Sequence, residues 1–157
     1  MASLEFKAGV AIRCSPERAF EFLADHRHVA QVLDGVSRWE PIGPKTRGTG
    51  ARYNVEMVAL GFPLKSVLRL NRWKPGKEIG WVSESGLIRQ EGGFMFTPLE
   101  DGVRVELRIA YEPPGGVVGG ALARRMDSTV RRRLEEALDR IKAALEGDSG
   151  AASKVGS

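Results

Sequence analysis

Residues 103–116 read VRVELRIAYEPPGG, and this stretch indicates the fold more clearly than any other part of the chain. Every second residue from position 103 to position 111 is apolar, a period of two that is typical of a strand with one buried face. These positions are Val103, Val105, Leu107, Ile109 and Tyr111. The Pro-Pro-Gly-Gly sequence ends the strand, because proline lacks a backbone donor for sheet pairing.

A long amphipathic helix is predicted after this strand, from about Val118 to Glu146. Its apolar residues recur at steps of three and four, which places them on one helix face. They are Leu122, Met126, Val130, Leu134, Leu138, Ile141 and Leu145. Gly147 is predicted to end the helix. The Gly-, Ala- and Ser-rich residues 148–157 are predicted to form a flexible tail.

The residues before position 103 predict one strand, two short helices and further strands. Alternation over Leu4–Arg13 predicts the first strand. Ser15 followed by proline is a typical helix start, so we expect short helices over about 16–25 and 27–33. Alternating segments joined by short turns over 36–97 predict an antiparallel meander. The sequence therefore predicts an α+β fold: a curved, seven-stranded antiparallel sheet, two short helices after the first strand and a long C-terminal helix.

The length and composition set limits on the class of protein. The 157 residues suffice for one domain, which we place at residues 1–147. Cys14 is the only cysteine, which excludes an internal disulfide framework and a cysteine-based zinc site. No apolar run approaches the roughly 20 residues that span a bilayer, and the N-terminus does not resemble a signal peptide, so we expect a cytoplasmic protein. The net charge of +4 permits a nucleic acid or an anionic membrane as partner but demands neither.

Five short motifs, taken in order, resemble the START-related helix-grip superfamily (SRPBCC), which includes polyketide cyclase/dehydrases and lipid-transfer proteins. They are SPERAF at 15–20, DGV at 34–36, GTG at 48–50, WKP at 73–75 and YEPPGG at 111–116. The resemblance covers about residues 4–146 and implies the helix-grip fold, in which the curved sheet wraps around the long helix. It implies no particular reaction, because this superfamily has no shared catalytic signature.

A strongly twisted sheet covered by a single helix leaves space between the two, so we predict an internal cavity. The side chains expected to face it are apolar apart from a few hydroxyls and one amide, which is typical of a small-molecule pocket. The predicted ligand-binding residues are Tyr53, Met57, Ser66, Trp81, Gln90, Phe94, Tyr111 and Met126. We therefore favour the binding of a lipid, polyketide or isoprenoid-like molecule for transport, sequestration or presentation.

Two other functions stay open. A polyketide cyclase or dehydratase would use polar groups of the pocket, with His26 or His28 at its mouth, and no catalytic residue is assigned. A module for ribosomal RNA or a membrane-bound complex would use the basic first half of the long helix, over residues 124–133. No aromatic residue is interleaved with these arginines, which argues against nucleic acid and leaves an anionic membrane surface. The oligomeric state is not predicted.

No metal or organic cofactor is expected. His26 and His28 are two residues apart and diverge on a helix, whereas metal ligands must converge. Cys14 is expected to be a buried structural cysteine, and Gly92-Gly93 is expected to mark a bend or bulge in a strand. The Pro- and Gly-rich residues 113–120 are interpreted either as the hinge of a gate over the cavity or as a simple connector.

Overall fold

The structure is a computed structural model that describes residues 4–33, 35–59, 62–86, 89–112 and 120–156. Seven strands and three helices follow one another along the chain. They are β1 (Leu4–Ile12), α1 (Pro16–Ala24), α2 (His26–Val32), β2 (Val36–Pro41), β3 (Arg52–Ala59), β4 (Phe62–Lys74), β5 (Glu78–Gly86), β6 (Arg89–Leu99), β7 (Gly102–Glu112) and α3 (Gly120–Gly156). The predicted α+β helix-grip architecture is confirmed, with the two short helices directly after the first strand.

All neighbouring strands are antiparallel, and their order in the sheet is β1-β7-β6-β5-β4-β3-β2. The strands from β2 to β7 therefore form the predicted meander, and β1 joins its far edge beside β7. In the β1–β7 pair Phe6 lies opposite Ile109, and in the β6–β7 pair Phe94 lies opposite Leu107. Because side chains alternate between the faces of a sheet, this register places the apolar sets of neighbouring strands on one face.

The glycine pair in β6 allows close approach of neighbouring strands and does not form a bulge. Pairing with β5 and β7 continues through Gly92 and Gly93 without a shift of register. A Cβ atom on Gly92 would lie 2.6 Å from the Arg108 carbonyl oxygen, and one on Gly93 would lie 2.6 Å from the Ile79 carbonyl oxygen. The irregular positions of this part of the sheet lie in β4, where the register with β5 shifts between Val67 and Leu68 and between Leu70 and Arg72.

The two short helices close one end of the concave face. Ser15 caps α1, since its hydroxyl accepts a hydrogen bond from the Arg18 amide at 3.1 Å. Phe20 of α1 is fully buried and makes edge-to-face contacts with Trp73 at 5.1 Å and Phe96 at 5.6 Å between ring centroids. These contacts fix α1 over β4 and β6, which in turn sets the position of α2.

The long helix α3 packs along β1 and is tied to it by polar contacts. The Lys142 ammonium donates to the Ala11 carbonyl at 3.0 Å, and the Arg13 amide donates to the Glu146 carboxylate at 3.0 Å. In the part of the helix whose side chains are described, the apolar face is buried in the core. Its buried residues are Leu134, Ala137, Leu138, Ile141 and Leu145.

The predicted end of this helix at Gly147 is wrong, because α3 continues to Gly156. A glycine at the end of a helix usually adopts the left-handed conformation, whereas the φ angle of Gly147 lies outside that region. Glycine only lowers helix propensity, so it permits the helix to continue. The division into a domain at 1–147 and a flexible tail at 148–157 stays a prediction. No helix in the described parts of the chain is long and apolar enough to cross a membrane.

Candidate functional site

A small cavity lies between the short helices and the concave face of the sheet, and we refer to it as the aromatic pocket. Its volume is about 20 Å³. A single buried water needs roughly 10–15 Å³ on the same measure, so the pocket holds about one water molecule in this state. It is lined by Leu23, Ala24, His26, Val29, Trp39, Tyr53, Leu70, Trp73, Ile79, Trp81 and Phe94.

Five of the eleven lining residues are Trp, Tyr or Phe. Trp81 makes edge-to-face contacts with Trp39 at 5.7 Å and with Phe94 at 5.6 Å, and Trp39 lies 5.8 Å from Tyr53. Such pairs add to the gain from burial, because ring edges and faces carry opposite partial charges. All three tryptophans of the chain, including Trp73, line the pocket. A molecule that entered it would therefore contact every tryptophan.

Tyr53 connects the pocket to the loop between β2 and β3. Its hydroxyl donates a hydrogen bond to the Thr46 carbonyl. Burial raises the pKa of Tyr53 to about 12, while the nearby Arg47 guanidinium opposes the shift and Asp25 adds to it. A phenol with so high a pKa is a weak proton donor at neutral pH, so the side chain serves here to hold the loop.

Arg47 holds the same loop against α1 and β4. Its guanidinium lies 3.0 Å from both carboxylate oxygens of Glu21 and 5.4 Å from the centre of the Trp73 ring. A cation over an indole face is attracted by the negative face of the ring. Residues 43–50 are therefore held beside the aromatic pocket by Arg47, by Thr46 and by the hydrogen bond from the Gly50 amide to the Leu70 carbonyl at 2.8 Å.

The two histidines of α2 have different surroundings. His26 lines the pocket, and its ring lies 6.1 Å from the Tyr53 ring. His28 stacks on Phe22 at 4.1 Å, and its Nδ1 lies 2.7 Å from the Phe22 carbonyl oxygen. Among the described residues, no three His, Cys, Asp or Glu side chains are grouped to hold a metal ion. Cys14 is half-buried, whereas we expected it to be fully buried, and burial raises the pKa of its thiol.

A second group of predicted residues meets at the far end of the concave face. The Gln90 amide nitrogen lies 3.9 Å from the Met57 sulfur, and the Gln90 backbone amide donates to the Ser83 hydroxyl at 3.0 Å. Tyr111 lies opposite Gln90 in the β6–β7 pair and stacks on Phe6 at 5.8 Å. This end of the face therefore combines one amide and two hydroxyls, those of Ser83 and Tyr111, with apolar side chains.

The structure divides the eight predicted ligand-binding residues between these two places. Tyr53, Trp81 and Phe94 line the aromatic pocket, and Met57 and Gln90 contact each other. The remaining residues have other positions. Ser66 is half-buried opposite Gly86, Tyr111 lies opposite Gln90, and the Met126 side chain lies outside the described part of the chain. The eight residues as a ligand-binding set, and one continuous cavity beneath α3, stay predictions. Residues 113–119, the interpreted gate or connector, also lie outside the described residues.

Four pocket residues on α1, α2 and β2 were not predicted from the sequence to belong to a site. They are Leu23, Ala24, Val29 and Trp39. Leu23 was predicted only to be a buried residue of α1. The hydrophobic periodicity of the sequence does not show that α1 and α2 cross the open end of the sheet. Trp39 lies in a short strand whose other residues are mostly polar. It is the one local indication in the sequence that β2 contributes a buried side chain to the pocket.

Comparison with known proteins places this architecture among similar folds. The family model described as polyketide cyclase / dehydrase and lipid transport matches residues 3–146. No curated protein matches the sequence. The structure of TTHA0849 from Thermus thermophilus is 24% identical, with a TM-score of 0.79 over 93% of this chain and 99% of that chain.

Two further solved structures are similar at lower identity. The Zhui aromatase/cyclase from Streptomyces sp. R1128 is 14% identical, with a TM-score of 0.74 over 92% of this chain and 94% of its own. A START superfamily protein from Mycobacterium smegmatis is 14% identical, with a TM-score of 0.72 over 91% of this chain and 97% of its own. At these identities the likenesses show the fold alone, and they agree with the resemblance seen in the sequence.

Proposed function

The chain belongs to the polyketide cyclase/dehydrase and lipid transport family, and from this membership we propose that it binds a small hydrophobic molecule against the concave face of its sheet. The molecule is a lipid, a polyketide or an isoprenoid-like compound, held for transport, sequestration or presentation. Tyr53, Trp81 and Phe94 contact one part of it at the aromatic pocket. Met57, Ser66, Gln90 and Tyr111 contact another part at the far end of the same face, where α3 with Met126 covers it.

The chemistry of the concave face carries this proposal. Among the described residues, none with a charged side chain is buried, and the buried set on the sheet is aliphatic and aromatic. Apolar walls with a few placed polar groups are the usual lining of a small-ligand site. Gln90 and Ser83 supply such polar groups at one end, and the Tyr53 hydroxyl does so at the other.

The small volume of the aromatic pocket sets a condition on ligand binding. The aromatic pocket has room for about one water molecule, so a lipid-sized ligand enters only when its walls move apart. The loop at 43–50 lies beside the pocket, where Thr46 and Arg47 contact two of its lining residues, Tyr53 and Trp73. Binding therefore couples to the movement of this loop.

The tryptophans provide a direct test with a dansylated fatty acid as the probe. Because all three line the pocket, a bound dansyl group should accept excitation energy from them, with saturation at one probe per chain. Native mass spectrometry of protein from its source, extracted without detergent, identifies the natural ligand. Energy transfer that does not saturate, together with the absence of a copurifying small molecule, would overturn the proposal.

Two methionines on opposite faces of the sheet give a matched control. Met57→Lys places a charge on the concave face beside Gln90, whereas Met95→Lys changes a methionine that is 49% exposed. We expect Met57→Lys to weaken probe binding at least ten-fold, since an ammonium loses hydration in an apolar site. Met95→Lys should bind as the unchanged protein does. Equal binding by the two variants would place the probe elsewhere.

A cyclase or dehydratase activity is the second candidate, favoured by the position of His26 in the pocket wall beside Tyr53. An imidazole there is placed for proton transfer to a bound carbonyl compound. The test incubates a poly-β-ketone thioester mimic with the protein, its His26→Ala variant and its His28→Ala variant. If the protein is an enzyme, cyclised product should form faster with it than in buffer. His26→Ala should abolish this acceleration. His28→Ala should retain it, because the His28 side chain packs on Phe22.

A further inference from the structure

The aromatic pocket reaches the surface of the protein at two of its lining residues. Nine of the eleven lining residues are buried, whereas His26 and Trp73 are half-buried. The partly exposed residues of a pocket wall mark the place where the wall meets solvent. The opening therefore lies between α2 and the end of β4, and we refer to His26 and Trp73 together as the pocket mouth.

A cation lies at the pocket mouth. The Arg47 guanidinium lies 5.4 Å from the centre of the Trp73 ring, and 51% of the Arg47 side chain is exposed. Its charge also reaches the pocket wall, because burial raises the pKa of Tyr53 while the positive charge of Arg47 opposes that shift. A molecule whose apolar part occupied the pocket would therefore end beside a positive charge.

The ion pair of this cation shows that a carboxylate fits beside it. Both carboxylate oxygens of Glu21 lie 3.0 Å from the Nη2 atom of Arg47. The two side chains are 51% and 60% exposed, so water screens the pair and it contributes little to stability. A second carboxylate can therefore replace Glu21 without leaving Arg47 unpaired.

Two other carboxylates of this region are directed elsewhere. Asp25 accepts a hydrogen bond from the Arg27 amide at 2.9 Å and pairs with the Arg27 guanidinium at 2.7 Å. Glu17 lies against Gly76, in the turn that follows β4. Glu21 is thus the carboxylate that an incoming anion has to displace.

We propose that the ligand of the aromatic pocket is an amphipathic carboxylate, whose apolar part lies among the aromatic rings and whose carboxylate replaces Glu21 on Arg47. The inference rests on the proposed function, because it concerns the same hydrophobic ligand. Arginine suits this role, since its planar guanidinium can donate two parallel hydrogen bonds to one carboxylate. An uncharged ligand would leave the ion pair intact and would gain nothing from Arg47.

The exchange of carboxylates also loosens the wall of the pocket. The Arg47–Glu21 pair joins the loop at 43–50 to α1, and the closed pocket has room for about one water molecule. A ligand carboxylate that takes over Arg47 breaks this connection, so the loop and α1 can separate as the apolar part enters. The cation keeps a partner throughout, and the entry of an anion therefore costs less than the entry of a neutral molecule.

Decanoate and 1-decanol test the charge of the ligand, because they share one chain length and differ only at the end group. Tryptophan fluorescence follows both titrations at neutral pH, since all three tryptophans line the pocket. Arg47→Gln should weaken decanoate binding by roughly three- to five-fold, as the loss of an exposed ion pair does. Glu21→Gln should strengthen decanoate binding by a similar factor, because it removes the competing carboxylate. Neither variant should change the affinity for 1-decanol.

A second exposed ion pair gives a matched control. Arg38 and Glu40 lie 3.8 Å apart and are 54% and 65% exposed, close to the values for Arg47 and Glu21. They flank Trp39 on β2, so their side chains lie on the face opposite the pocket. Arg38→Gln and Glu40→Gln should leave both affinities unchanged. Equal effects of the two ion pairs on decanoate would overturn the proposal in favour of attraction by net charge alone.

The remaining outcomes separate this inference from the proposed function. If Arg47 only holds the loop, Arg47→Gln and Glu21→Gln break the same contact and should shift both affinities in the same direction, which would contradict an anion site. Equal binding of 1-decanol and decanoate in every variant would contradict this inference and leave the proposed function standing. Failure of both molecules to bind the unchanged protein would contradict the proposed function, and this inference with it.

Discussion

The side-chain nitrogen of Gln90 on β6 lies 3.9 Å from the sulfur of Met57 on β3, although two strands, β4 and β5, separate them in the sheet. In a flat sheet, three interstrand spacings would keep these strands roughly 14 Å apart. Their side chains meet because the sheet curls strongly about its concave face. The curl converts one face of a sheet into the wall of a binding site, and it is the feature on which the proposed function depends.

Truncation of the buried aromatic side chain at Phe94 should strongly destabilise the fold. Phe94 is 0% exposed and contacts Trp81, so Phe94→Ala removes a full ring from the core. We expect the free energy of unfolding to fall by about 3–5 kcal/mol in urea titrations. Met95→Ala, at the next and exposed position, should change it by less than about 0.5 kcal/mol. Similar losses for both would contradict the assignment of the two faces.

Alanine at Gly147 should stabilise the long helix. A Cβ atom placed there meets no atom within 4 Å, and the φ angle lies outside the left-handed region. Alanine has a higher helix propensity, so Gly147→Ala should raise the free energy of unfolding by up to about 1 kcal/mol. Thermal unfolding followed by circular dichroism measures the change. A loss of stability would show that Gly147 ends the helix in a left-handed conformation.

Asp25 should make the protein more stable at neutral pH than in acid. Its carboxylate caps α2 by accepting from the Arg27 amide at 2.9 Å, and it pairs with the Arg27 guanidinium at 2.7 Å. The hydrogen bond from the Arg27 side chain is the main reason why the pKa of Asp25 lies well below its usual range. Because the pKa is lower in the folded state, the contribution is complete above the unfolded value of about 4 and is lost as the pH falls below it.

The variant Asp25→Ala isolates this contribution. It should lower the free energy of unfolding by about 1 kcal/mol at pH 7, as the loss of a helix cap typically does. The difference from the unchanged protein should shrink when urea titrations are repeated between about pH 4 and pH 2, because the Asp25 carboxylate becomes protonated in the unfolded chain there while it stays ionised in the folded protein. A difference that stays constant over this range would mean that the charge of Asp25 does not contribute.

The Tyr53 hydroxyl should lose its proton at an unusually high pH. With a pKa of about 12 in the folded state against about 10 in the unfolded state, it contributes stability that is lost as the pH rises from 10 towards 12. Ultraviolet absorbance of tyrosinate, compared between the protein and Tyr53→Phe, should assign the late titration to this residue, since Tyr111 is the only other tyrosine.

The same variant removes the hydrogen bond from Tyr53 to the Thr46 carbonyl. We expect faster amide hydrogen exchange around Thr46 in Tyr53→Phe, because the loop at 43–50 loses one of the contacts that hold it. Exchange at α3, which contacts none of these residues through a described hydrogen bond, serves as the internal control. Unchanged exchange at 43–50 would show that the Tyr53 hydrogen bond does not hold the loop.

Much of the fold was accessible from local patterns. The alternation over β1 and β7 and the capped start of α1 at Ser15 were visible in the sequence and are confirmed. The apolar stripe of α3 is confirmed over its described side chains, from Val130 to Leu145. The misplaced end of α3 arose from treating Gly147 as a stop signal. Its backbone is helical, and a glycine in an exposed helix costs too little to end it without support from a left-handed cap.

The sequence by itself determined the elements, their order and the apolar face of each strand, because periodicity and capping depend only on neighbours along the chain. Tertiary structure alone decided that α1 and α2 close the end of the concave face, with His26 and Trp39 in the wall of the aromatic pocket. It also decided that Gln90 reaches Met57 across two strands. Both depend on how far the sheet curls, and curl is set by the packing of all strands together, which no single segment of sequence records.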